Sequence, residues 1–218
     1  MIKFRTNDLR DYINEASDAL RNKQSKLESE IDAKLDEIAD EDEKRNVIDW
    51  YLDDNLKYFD DFPEIQNNAH FLILYSFFET NLSRICGMIV RDVAVEAINL
   101  KPAKGSYVNN SKDFLSSVPN VNLTSHENVW RKLEKLRQYR NFITHDGANL
   151  KRQKNKEAEK KKRDLIAYIN RHVSNSIKIN QHGECTIESH QLSLVFLELI
   201  KSYLNFIIDH YLSKHPRK

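Results

Sequence analysis

Arg140, Asn141 and His145 are the residues of this chain whose types and spacing could carry a reaction, within the segment Arg140-Asn141-Phe142-Ile143-Thr144-His145. On a helix advancing about 100° per residue, positions four apart share a face, so Asn141 and His145 lie one above the other with Arg140 beside them. A guanidinium offers a fork of donors to the oxygens of an anion, an imidazole gives or takes a proton, and a carboxamide orients either. Three polar groups could thus meet one ligand. Phe142 and Ile143 are apolar, so one side of this helix is expected to pack into a core while the other opens to a partner. His145 falls in the last turn, where carbonyl dipoles favour a positive charge and nearby Arg140 opposes one. Periodicity alone does not separate this cluster from a set of helix caps and surface contacts.

The elements that must position it are helical. Leu9, Ile13, Ala16, Leu20, Leu27, Ile31, Leu35 and Ile38 recur at spacings of three, four or seven, which predicts a long amphipathic helix over 7–39, read as a packing arm. A second helix is expected over 42–61, and Pro63 is placed to open a third, over 63–100, apolar on nearly every side from His70 to Phe78. Residues 101–125 contain Pro102, Gly105, Asn109-Asn110 and Pro119 and read as a connection with a short helical turn at 113–117. Ser125 is expected to cap the helix that bears Arg140 and His145, and Gly147 to end it. The charged stretch 151–163 is either a loop or the start of a helix running to 171. Ile177, Ile179, Cys185 and Ile187 alternate around Gln181-His182-Gly183, a β-hairpin pattern, and a last helix follows over 189–212.

The composition agrees. With 218 residues, 40% hydrophobic, 31% charged, four Gly and four Pro, the chain suits an all-α globular protein able to bury a substantial core. Cys86 and Cys185 lie far apart, so no disulfide framework is expected, which favours a reducing compartment. The N-terminal residues are charged where an export signal needs an apolar stretch, and the longest apolar run, 71–78, falls short of the roughly 20 residues that cross a bilayer. A cytoplasmic location away from the membrane is therefore expected. The formal net charge of +1 hides an asymmetry: 28–64 holds fifteen acidic residues against four basic, whereas 131–163 holds thirteen basic against four acidic. The basic part could serve a polyanion.

Arg140-Asn141-Phe142-Ile143-Thr144-His145 resembles the Arg-X4-6-His motif of the HEPN superfamily, in the form where a polar Asn follows the Arg. The setting is also similar: a core helix like 71–86 with an aromatic and Glu79 near its centre, a linker, the motif helix, and further helices, with the 175–189 hairpin recurring in part of the superfamily. The likeness spans roughly 66–212. It implies a HEPN-like helical bundle over 63–218, with 1–62 as an N-terminal helical extension whose role does not carry over.

What the resemblance implies for function is metal-independent RNA cleavage through Arg140 and His145, with Asn141 orienting His145 or the phosphate. The 2′-hydroxyl would be the nucleophile, leaving a 2′,3′-cyclic phosphate and a 5′-hydroxyl, in a toxin or an effector of phage defence. The reaction needs two proton transfers and one chain supplies only one His in this constellation, so the site is expected to be composite, across the twofold axis of a homodimer. An antitoxin or a defence-system partner is the further expectation. No cofactor and no metal are expected. The alternative implied by inactive superfamily members is a non-catalytic dimeric binding or regulatory module.

Other candidates are weaker. Glu79, a carboxylate in an apolar helix, is expected to pair with a cation such as Arg140 or to tune the site. Tyr139 adjoins the motif and is either a supporting residue or packing. Lys151, Arg152, Lys154 and Lys156 open a basic run that either tracks an RNA backbone or is a solvated surface; lacking interleaved aromatics, it is not expected to stack bases. His182 and Cys185 without a second ligand pair make a poor zinc signature. No phosphate-binding glycine loop or nucleophile elbow is present in the sequence.

Overall fold

The long apolar stripes dictate how the chain closes on itself. A computed structural model describes residues 5–92, 107–118 and 121–214. Helix α3 (Phe62–Asp92) presents Phe71, Leu74, Phe78, Leu82, Ile85 and Ile89 at helical spacing, and α7 (Gln191–Lys214) answers with Phe196, Leu197, Ile200, Tyr203, Leu204 and Ile207. Phe71 meets Phe196 with ring centroids 5.0 Å apart, and Phe78 meets Tyr203 at 6.3 Å. Each such side chain taken from water is worth about 1.5–3 kcal/mol, so this pair of helices forms the centre of the fold. Helix α5 (Glu127–Asp146) buries Trp130, Leu133, Leu136, Tyr139 and Phe142 against them, and α6 (Lys156–His172) packs Leu165, Ile166 and Ile169 beside α5.

The fold is all-α, as expected, with one small antiparallel hairpin, β1 (Ile177–Ile179) and β2 (Cys185–Ile187), before α7. Ile177 pairs with Ile187, and the turn is tied by Asn180, whose Oδ1 accepts from the N–H groups of His182 at 2.9 Å and Glu184 at 3.0 Å. By length and composition Gln191–Ser213 would reach across a membrane, at a mean hydropathy of 1.4. Its apolarity has a nearer use, since this helix faces α3 across the centre of the core.

Helix α1 (Thr6–Asp36) joins the body near its start: Ile13 enters the core cluster and Arg10 forms an ion pair with Glu198 of α7. Its far half carries α2 (Glu41–Asn55), which Asp40 caps by accepting from Asp42 and Glu43 N–H at 2.9 Å. The expected break before a third helix is absent. Instead α2 runs through a π-helical turn, Leu56–Asp61, straight into α3. Pro63 explains the turn: its ring crowds the carbonyl four residues back and it has no N–H to give, and a wider turn relieves both. Gln24 of α1 donates to the Tyr58 carbonyl in this turn at 2.7 Å.

Three further expectations change. Helix α4 (Tyr107–Ser117) is longer than the single turn read from 113–117 and takes in Asn109 and Asn110; Pro102, Gly105, Pro119 and the expected end of the third helix at 100 lie outside the described residues. Ser125 does not cap α5, because it sits inside a 3-10 turn, Thr124–His126, ahead of which Asn122 Oδ1 accepts from Thr124 N–H at 2.9 Å. The stretch 151–163 is not a loop: after a 3-10 turn, Leu150–Arg152, Asn155 accepts from Ala158 N–H at 2.8 Å and starts α6.

Candidate functional site

The C-terminal end of α5 is where the candidate residues meet. Phe142 is fully buried and fixes the rotation of the last turns, which leaves Arg140 and Asn141 half-buried and His145 exposed. Arg140 donates to Asn141 Oδ1 at 3.2 Å, and its guanidinium carbon lies 4.8 Å from the centre of the Tyr75 ring on α3. A guanidinium over an aromatic face gains roughly 0.5–1 kcal/mol at a partly exposed position and keeps donors free at its edge. Tyr75 is thus a residue of the site that sequence reasoning missed. Nothing local marks it, since it stands among the apolar residues of α3 far from the motif in sequence.

The end of the helix is braced rather than frayed. Gly147 adopts the left-handed conformation with φ 59°, as expected of a helix stop, and Ala148 follows at φ 50° with its N–H on the Phe142 carbonyl at 3.0 Å. The hairpin holds the next residues in place. Cys185 N–H donates to the Ala148 carbonyl at 2.9 Å, and Leu150 N–H to the Gly183 carbonyl at 2.8 Å. The hairpin therefore positions the exit of the motif helix, a role its own sequence does not announce.

Cations gather at this exit. A side chain on Gly147 would approach Arg152 Nη1 to 2.8 Å, so the Arg152 guanidinium lies against the glycine backbone. Lys162 of α6 stands 3.4 Å from Asp146 Oδ2 and 4.9 Å from the centre of the Phe142 ring. Lys151, Lys154 and Lys156 are exposed on the following turns, whereas Lys161 and Arg163 pair with Glu157 and Glu159 one turn back. The cations, the end of the motif helix and an exposed imidazole share one region of the molecule.

Two expected supporting residues stand elsewhere. Tyr139 is fully buried, edge-on to Phe71 at 5.7 Å, and burial holds its hydroxyl protonated by pushing its pKa well above the ordinary value, with the nearby Cys185 and Glu64 acting in the same direction. It packs, one helical step away from the exposed face. Glu79 is half-buried and forms no ion pair with Arg140 among the described residues, because the guanidinium is engaged by Tyr75 and Asn141. Arg137 is likewise occupied, bound at 2.5 Å to Glu134. Burial raises the Cys185 thiol to about 11, with Arg163 opposing, so it stays protonated; among the described residues no three metal-binding side chains come together.

Comparison of the chain with protein-family models, with curated proteins and with solved structures finds no match.

Proposed function

We propose that the protein is an endoribonuclease of HEPN type that acts without a metal as a homodimer. The observation that carries this reading is the grouping of Arg140, Asn141 and His145 at the braced, cation-rich end of α5. Exposed imidazole and half-exposed guanidinium suit the reaction. The RNA 2′-hydroxyl attacks phosphorus, an O2′–P bond forms, and the P–O5′ bond breaks. One His145 takes the 2′-hydroxyl proton and the partner's His145 gives a proton to the departing 5′-oxygen, while Arg140 holds the non-bridging oxygens. Asn141, whose Oδ1 is used by Arg140, keeps its amide N–H groups for the phosphate. Lys151, Arg152, Lys154 and Lys156 bind the backbone of the RNA nearby, without base preference. The biological setting in keeping with this activity is a cytoplasmic toxin or phage-defence effector restrained by an antitoxin or a defence-system partner.

Total RNA incubated with the purified protein in EDTA tests the proposal. Cleavage leaving 2′,3′-cyclic phosphate ends, reduced about 10²–10⁴-fold by His145→Ala or Arg140→Ala, is the expected result. Absence of cleavage under every condition, with no toxicity on expression, would sink it. The second reading, a non-catalytic dimeric module, draws on one observation: the Arg140 guanidinium is held by Tyr75 and Asn141 of its own chain.

A further inference from the structure

Helix α2 is left unusually bare. None of its residues is buried, and it packs within the chain against α1 and the π turn. Val47 and Tyr51 are half-buried towards α1, yet Ile48 is 46% exposed, and Leu52 and Leu56 are each 48% exposed. Their spacing of four places them on one ridge. Asp49 and Asp53 flank it, and 41–61 carries eight acidic residues against three basic. An apolar ridge at this spacing with an acidic border is the form in which a helix enters a groove.

The same chain offers a matching groove. Leu136 of α5, Tyr168 and Val173 at α6, and Leu199 of α7 line a shallow apolar channel rimmed by Lys132 and Lys135. Lys135 lies 5.9 Å from the centre of the Tyr168 ring, and neither lysine forms an ion pair among the described residues, the nearby Glu134 being held by Arg137. Lysines free of ion pairs beside the half-buried Tyr168, Val173 and Leu199 are complementary to the ridge in both charge and polarity.

We propose that α2 of one copy docks in the α5–α6–α7 groove of a second copy. Ile48, Leu52 and Leu56 enter the channel, and Asp49 and Asp53 meet Lys132 and Lys135. Two arms do not pair with each other, since that would set one acidic helix against another. Reciprocal exchange closes under a twofold axis, so the assembly stops at two chains instead of growing into a filament. This docking does not rest on the ribonuclease reading and holds for a dimer of either activity.

Full-length chains test it by crosslinking. An untagged chain carrying Leu52→Cys is mixed with a tagged chain carrying Lys132→Cys and treated with a short bismaleimide; Cys86 and Cys185 are buried and do not compete. The expected product joins tagged to untagged chain, falls about tenfold on adding Ile48→Asp, and weakens in about 1 M salt. Because a ridge variant could disturb the arm itself, a charge swap provides the control. Asp49→Lys with Asp53→Lys lowers the yield, and Lys132→Glu with Lys135→Glu on the other chain, crosslinked then through Val173→Cys, restores it. No mixed product, a product between two Leu52→Cys chains alone, or efficient linking within one doubly substituted chain at high dilution overturns the proposal. RNA cleavage by the same variants is measured separately, so failure of the docking and failure of the ribonuclease reading are told apart.

Discussion

The exit of α5 and the tip of the α1–α2 arm are both dense in charge, yet they are built in opposite ways. At the exit, Phe142 is fully buried, two successive residues are left-handed, and the hairpin bonds to the chain on either side of Asn149. At the tip, α2 buries nothing, and its charges pair along the helix, Lys44 with Glu41 and Arg45 with Asp42. A site that handles protons needs its groups held to within about 0.5 Å, which a packed scaffold supplies. A docking face needs only periodicity and sign. The contrast separates charge that is positioned from charge that is presented.

The sharpest way to break the comparison is to empty each region in turn. Phe142→Ala should cost about 3–5 kcal/mol in urea unfolding, whereas Trp50→Ala, at a position 73% exposed, should stay within about 0.5 kcal/mol. Equal losses would show that the arm is as firmly built as the exit.

Gly147→Val should cost about 1–2 kcal/mol, because a side chain there must adopt the left-handed conformation and displace Arg152. RNA cleavage should fall with it, if the cations at the exit serve the site. Full activity with unchanged stability would detach the brace from the chemistry.

A smaller effect lies where the arm meets the body. Burial holds the His70 pKa below its ordinary 6.5, with His190 adding repulsion, while Tyr12 of α1 stands edge-on at 5.4 Å. The folded chain keeps this imidazole neutral at a pH where the unfolded chain protonates it. Stability is therefore full above about 6.5 and declines as pH falls below that value towards the lowered one; His190, also lowered by burial, acts with the same sign. Thermal unfolding followed against pH should show this limb, and His70→Phe should flatten it. The smallest change expected is in Ala148→Gly, which removes the left-handed strain of a non-glycine residue and should raise stability by less than about 1 kcal/mol, read from the melting midpoint.

Much of this was legible in residue order. The apolar repeat of α1, the stop at Gly147 and the alternation around Gln181-His182-Gly183 each follow from local geometry, and each element forms where its pattern lies. The face shared by Asn141 and His145 follows from helical spacing in the same way. What escaped the sequence depends on residues distant along the chain. The Tyr75 ring beneath Arg140 and the bonds from Gly183 and Cys185 to the exit of α5 are products of packing, which no window of neighbouring residues contains. The expected pairing of Glu79 with Arg140 failed for the same reason, since an aromatic face and an adjacent carboxamide competed for the guanidinium. Pro63 was recognised as punctuation, but a helix can absorb a proline by widening as well as by ending.

That widening has a geometric consequence. A π turn holds an extra residue, so Leu56–Asp61 acts as a phase shift between α2 and α3. Rewinding the same six residues to the ordinary pitch would swing the Ile48, Leu52 and Leu56 side chains about 100° around the helix axis, whereas losing the extra residue as the turn rewinds would leave them facing as they do. The aim of the arm thereby depends on the turn staying wide, and Pro63, which keeps it wide, is the residue whose replacement would redirect it.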